Sequence, residues 1–96
     1  MYYMIEFKVP PITKSLSRMI PIQQMKVDEL MTSGRMISYA LSTDRKKLWA
    51  VVDAETEFEA MDIIAELPMT VYMKADVQPL MFHNSAQHVM PTFSAN

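Results

Sequence analysis

The apolar residues of this chain follow a period of two, then one near 3.6, then two twice over, then 3.6, then two again, and few folds accept that succession. Tyr3, Ile5, Phe7 and Val9 alternate with Tyr2, Met4, Glu6 and Lys8, which describes a strand with one face on a core. Pro10-Pro11 ends it, since neither residue can donate to a ladder. A helix is expected from Ser15 or Ser17 to Ser33, its stripe formed by Leu16, Ile20, Val27, Leu30 and Met31. Gly34 is the stop, because glycine accepts the left-handed conformation. Pro21 sits easily in the first turn if the helix begins at Ser17; an earlier start predicts a kink. Gln23 falls in the gap of the stripe. A buried amide must be hydrogen-bonded, so it either meets a partner in the core or looks into a cavity.

Two further strands, Arg35 to Ser42 and Lys47 to Asp53, are joined by the polar turn Thr43-Asp44-Arg45-Lys46, as in an antiparallel hairpin. A second helix opens with the capping-box pattern Thr56-Glu57-Phe58-Glu59. Its buried stripe is read as Phe58, Met61, Ile64 and Ala65, and Pro68 stops it. A last strand is expected from Thr70 to Phe82, with Pro79 marking a bulge or an edge. This order, βαββαβ, is the ferredoxin-like α+β plan: an antiparallel sheet with both helices on one face. Residues 1–83 form one such domain. Residues 84–96 form a polar tail whose Val89, Met90 and Phe93 suggest docking on a neighbouring subunit.

The plan leaves one sheet face bare. Met4, Trp49, Val51, Met73 and Met81 are assigned to it, enough to make it sticky. Pairing two such faces gives a homodimer, or a larger homo-oligomer, with a small-molecule pocket between the sheets.

Composition removes several classes of function. Without cysteine there is no disulfide, thiolate catalyst or Cys-ligated zinc, and the two histidines show no metal-ligand spacing. The eleven methionines suit adaptable packing, and a single glycine provides no phosphate cradle. No metal or cofactor is expected. The net charge of −2 and the isolated run Arg45-Lys46-Lys47 argue against a nucleic-acid partner. So does the third strand, Lys47 to Val52, which lacks the glycine and spaced aromatics of RNA-binding sheets. No apolar run approaches the ~20 residues that span a bilayer, and Met1 to Val9 is no signal peptide. No membrane partner and a cytoplasmic location are the expectation.

Two stretches carry a more specific likeness. Leu41-Ser42-Thr43-Asp44-Arg45-Lys46-Lys47-Leu48-Trp49-Ala50-Val51-Val52-Asp53, followed by Ala65-Glu66-Leu67-Pro68-Met69-Thr70-Val71-Tyr72-Met73, resembles the muconolactone delta-isomerase family. There too a hairpin leads into a helix ending in a Leu-Pro-Leu-type turn, then an aromatic-Met strand start. The glycine after the first helix and the ending Leu80-Met81-Phe82-His83 are also similar. The likeness runs from Tyr2 to about Ser85. It implies a dimeric α+β barrel that shifts a double bond in a small unsaturated lactone, in aromatic-compound breakdown, without a cofactor. His83 matches a family histidine; the family's first-strand histidine and lysine fall where this chain has Met4-Ile5-Glu6.

Such proton transfer needs a base and a donor for the developing enolate oxygen. Glu6, on the bare face among apolar neighbours, is the base candidate; a solvated or ion-paired strand carboxylate is the plainer reading. His83 is the candidate acid or donor, or simply a surface histidine at a strand end. Gln23, Tyr39, Trp49 and Tyr72 are the candidate substrate-binding residues; packing is the plainer reading of both tyrosines and the tryptophan. Two other functions fit the same barrel: a small-ligand-binding or assembly module without catalysis, and a cofactor-independent monooxygenase.

Overall fold

The computed structural model of the protein describes residues 1–86. Its elements are β1 (Tyr2–Lys8), α1 (Lys14–Ser17), α2 (Ile20–Thr32), β2 (Met36–Leu41), β3 (Lys47–Asp53), α3 (Glu57–Ala65), a 3-10 turn (Thr70–Tyr72) and β4 (Lys74–Pro79). The strands form one antiparallel sheet in the order β2-β3-β1-β4. This is the expected ferredoxin-like α+β arrangement, with β1 in the interior. No helix among the described residues is long and apolar enough to cross a membrane. Most of the tail on which subunit docking was expected, residues 87–96, lies outside the described residues.

The alternation of β1 is what sorts the two faces. Tyr3, Ile5 and Phe7 are buried, and β3 sets Val52, Ala50 and Leu48 opposite them. Val27 and Leu30 of α2 and Ala60, Ile63 and Ile64 of α3 close over this side, with Leu67 behind them. Tyr2, Met4, Glu6 and Lys8 point to the other side, where Glu6 sits opposite Trp49 and Asp76.

The first helix comes as two. Thr13 Oγ1 accepts from Leu16 N–H at 3.2 Å and caps α1, which ends after one turn. α2 begins only at Ile20, so that Pro21 falls in its first turn, where its missing N–H costs nothing. The proline conflict is thus resolved by a break rather than a kink. At the far end Gly34 adopts φ 79°, Arg35 N–H reaches back to Leu30 O, and Gly34 N–H to Met31 O, a Schellman closure.

Three expectations for the second half need correction. The inner face of α3 carries Ala60, Ile63 and Ile64, whereas Phe58 is 85% exposed and Met61 and Ala65 also face outward. Ala60, Ile63, Ile64 and Leu67 follow the i, i+3, i+4, i+7 rule, and the small Ala60 lets the helix lie close to the sheet. Large side chains had been given a face that a small one occupies. The capping box is also shifted: Thr56 Oγ1 accepts from Glu59 N–H, but Glu59 Oε2 reaches Glu55 N–H, one residue further back. The last strand is shorter than Thr70 to Phe82. Thr70 Oγ1 donates to Ile64 O and Leu67 O, holding a 3-10 turn before β4 begins at Lys74. Pro79 ends β4 on the sheet edge, as a proline must. Met73 therefore leaves the bare face and packs on the helix-side core.

The register of α3 makes a direct test. Ile63→Ala should lower the unfolding free energy by about 2–5 kcal/mol, the usual result of truncating a buried isoleucine. Phe58→Ala should change it by less than about 0.5 kcal/mol, as an exposed site does. Chemical denaturation of both variants measures the pair, and equal losses would reject this register.

Candidate functional site

At one end of the sheet, on its helix side, the break before α2 and the shortening of β4 leave a hollow of about 310 Å³. Its walls are apolar: Ile12 from the loop after β1, Ile20 from α2, Leu41 and Leu48 from the hairpin strands, and Met69 and Met73 flanking the 3-10 turn. Four residues add polar groups: Gln23, Gln24, Tyr39 and Arg45. A cavity that is largely apolar with a few convergent polar groups is the usual form of a small-ligand site.

Gln23 organises it. Only 4% exposed, it meets both of the alternatives its sequence position left open: it has partners, and it lines a cavity. Its Oε1 accepts from Met69 N–H at 3.0 Å and its Nε2 donates to the Tyr39 hydroxyl oxygen at 3.1 Å. The first bond fixes the orientation of the amide, because a backbone N–H can only donate. The amide NH₂ must then face Tyr39, so the phenol oxygen acts as acceptor towards Gln23. The phenol's own proton remains free for a ligand. Burial pushes the Tyr39 hydroxyl above its ordinary value near 10.0, with the Gln23 bond pulling part of the way back. Tyr39 is therefore a neutral hydrogen-bond donor throughout the physiological range.

The remaining candidates are elsewhere. Glu6 lies on the bare face, where Trp49 Nε1 donates to its Oε1 at 2.9 Å. The sheet separates this pair from the hollow. His83 stacks at a tilt on Tyr2, with ring centroids 5.5 Å apart, and Tyr2 stands roughly 13 Å along β1 from Glu6 at the usual rise per residue. Tyr72 is 55% exposed and does not line the hollow. Gln23 and Tyr39 are thus brought together, Glu6 and Trp49 form a second pair, and His83 and Tyr72 join neither. The hollow itself lies under the sheet and not between two sheets, where a pocket was expected.

Arg45, a residue of the polar turn, is exposed and also lines the hollow. One signal was available. The turn contains no glycine or asparagine, so a larger residue had to take a left-handed conformation, and Arg45 does so with φ 62°.

A four-stranded ferredoxin-like sheet with a hollow under one end defines a small α+β protein with a candidate small-ligand site. The sequence profile described as muconolactone delta-isomerase matches residues 1–86, and the chain belongs to that family. Its fold is similar to that of a muconolactone isomerase whose crystal structure was determined at 3.3 Å, with a TM-score of 0.70, 18% identity, and coverage of 88% of this chain and 93% of that one. No curated protein matches the chain.

Two outcomes are expected of the Gln23–Tyr39 pair. Gln23→Leu keeps the volume but strips Met69 N–H and Tyr39 of their partner, and should cost about 1–3 kcal/mol in denaturant unfolding. Tyr39 holds its proton more tightly in the folded chain than in the unfolded one. Its contribution is therefore complete below the ordinary value near 10.0 and is lost as pH rises through the folded value. Tyr39→Phe should remove that alkaline loss, read as a flatter dependence of unfolding midpoint on pH.

Proposed function

We propose that this protein is muconolactone isomerase-like: it takes a small unsaturated lactone into the hollow and shifts its double bond by moving a proton, without a cofactor. Membership of the family over residues 1–86 is the observation that carries this reading. The hollow supports it physically. Its apolar walls suit a small ring, and Tyr39, primed by the bond from Gln23, suits a lactone carbonyl that gains negative charge as a proton leaves. A hydroxyl that accepts one hydrogen bond is polarised towards donating another.

Glu6 is the proposed base, acting from the bare face, with His83 the proposed acid at the end of that face. One ligand bound to a single chain cannot meet both Tyr39 and Glu6. The two assignments are therefore alternatives: a lactone in the hollow meets Tyr39 as donor and no carboxylate or imidazole among the described residues, whereas Glu6 and His83 act only on a lactone held against the open face. That open face is also where a second copy is proposed to pack, since Met4 and Trp49 remain only half-buried on it. A second reading is favoured by one observation: among the described residues no carboxylate or imidazole lines the hollow. The same site then binds a small ligand without turning it over.

An ultraviolet assay of the purified protein with muconolactone separates the readings. Turnover is expected in the wild type, and Tyr39→Phe should lower kcat about 10²-fold, the usual effect of losing one oxyanion donor. Loss of turnover in Glu6→Gln or His83→Ala would assign chemistry to the open face; full activity would remove that residue from the mechanism. Binding without turnover in the wild type would select the second reading.

A further inference from the structure

The β2–β3 turn is built around a residue that ought not to be there. Ser42 N–H bonds Lys47 O at 2.9 Å and Arg45 N–H bonds Ser42 O at 3.0 Å, closing the loop with Arg45 at φ 62°. A side chain in this conformation crowds its own backbone, and glycine or asparagine would sit there with less strain. An arginine held in such a place is a reason to look for a role.

Its surroundings supply one. Arg45 is the one charged residue lining the hollow among the described residues, and its side chain is exposed at the mouth. No described residue forms a hydrogen bond or ion pair with its guanidinium. The nearest acid in sequence is turned inwards: Asp44 Oδ1 accepts from Ser42 Oγ at 2.6 Å and from Lys46 N–H at 2.9 Å. Those two bonds, the first before the second, hold the Asp44 carboxyl below its usual value, so it remains committed to the turn. The other polar groups of the hollow, Gln23, Gln24 and Tyr39, are neutral. The site thus has an apolar body, a neutral hydroxyl donor within and one unpaired cation at the rim.

We infer that Arg45 is the specificity residue of the hollow, pairing at its mouth with a carboxylate carried by the ligand whose ring lies against the apolar walls. The guanidinium presents a planar fork that matches a carboxylate, and its weak hydration suits a partly dry rim. The left-handed backbone sets the direction in which the side chain leaves the turn. This inference rests on the hollow being the ligand site proposed above.

The test uses muconolactone, a carboxylate, and its neutral methyl ester, with binding followed by the methyl NMR signals of Met69 and Met73, which line the hollow. The acid should bind the wild type about tenfold more tightly than the ester, the scale of one charge-assisted bond at a solvated rim. Arg45→Gln and Arg45→Gly should abolish that preference. Arg45→Gly should in addition melt no lower than the wild type, which separates lost recognition from lost folding. Lys46→Gln removes the same charge one residue away, from a side chain outside the hollow, and should shift acid affinity by less than about twofold. An equal loss in Lys46→Gln would overturn the inference in favour of the turn's general field. Acid and ester binding alike in the wild type would overturn it while the hollow stood. If neither ligand moved the Met69 or Met73 signals, the hollow would cease to be the site and the inference would fall with it.

Discussion

One side-chain amide holds three parts of this fold in register. Gln23 leaves α2, accepts from the backbone at Met69 beyond α3, and donates to Tyr39 on β2. Among the described residues no other polar side chain is buried in this way. An amide in apolar surroundings tolerates little error, since each missing partner leaves an unsolvated group. The helix, the turn after α3 and the second strand must therefore meet at one geometry, and the hollow is the space that geometry leaves. No buried side-chain nitrogen or oxygen among the described residues goes without a partner.

Much of this was legible in the sequence, and the failures have physical causes. The alternation of Tyr2 to Val9 located β1 and its two faces, and the limits of β3, Lys47 and Asp53, are those the pattern suggested. Gln23 announced itself by being polar on an apolar stripe. Pro21 signalled a disturbance, though periodicity alone could not tell a kink from a break. On α3 size misled: Phe58 and Met61 are larger apolar side chains than Ala60, but closeness to the sheet selected the smaller residue. The end of the chain misled for another reason. Thr70 can satisfy Ile64 O and Leu67 O with its hydroxyl, and that local closure delayed the strand.

The site was less legible than the fold, because a period of two sorts residues by face but does not say which face holds a cavity. Glu6 and Trp49 were correctly grouped, and the Trp49 indole bonds the carboxylate. Gln23 and Tyr39 were named without the link between them. Putting both pairs in one pocket required the sheet to be transparent. Family and fold are consistent from residue 1 to residue 86, yet neither determines which surface carries the chemistry, since sites are grafted onto folds and not dictated by them.

The division of the first helix has a kinetic consequence. α1 is four residues long and buries only Leu16, while α2 buries Gln23, Val27 and Leu30. With its own side-chain cap and one buried residue, the shorter piece can detach at a small fraction of the free energy that unfolds the whole, the bond from Met19 N–H to Leu16 O being the link it must break. It adjoins Ile12, part of the rim. Traffic into and out of the hollow can then be governed by a local fluctuation of residues 12–18, with Met19 O still held by Gln23 N–H while the door moves.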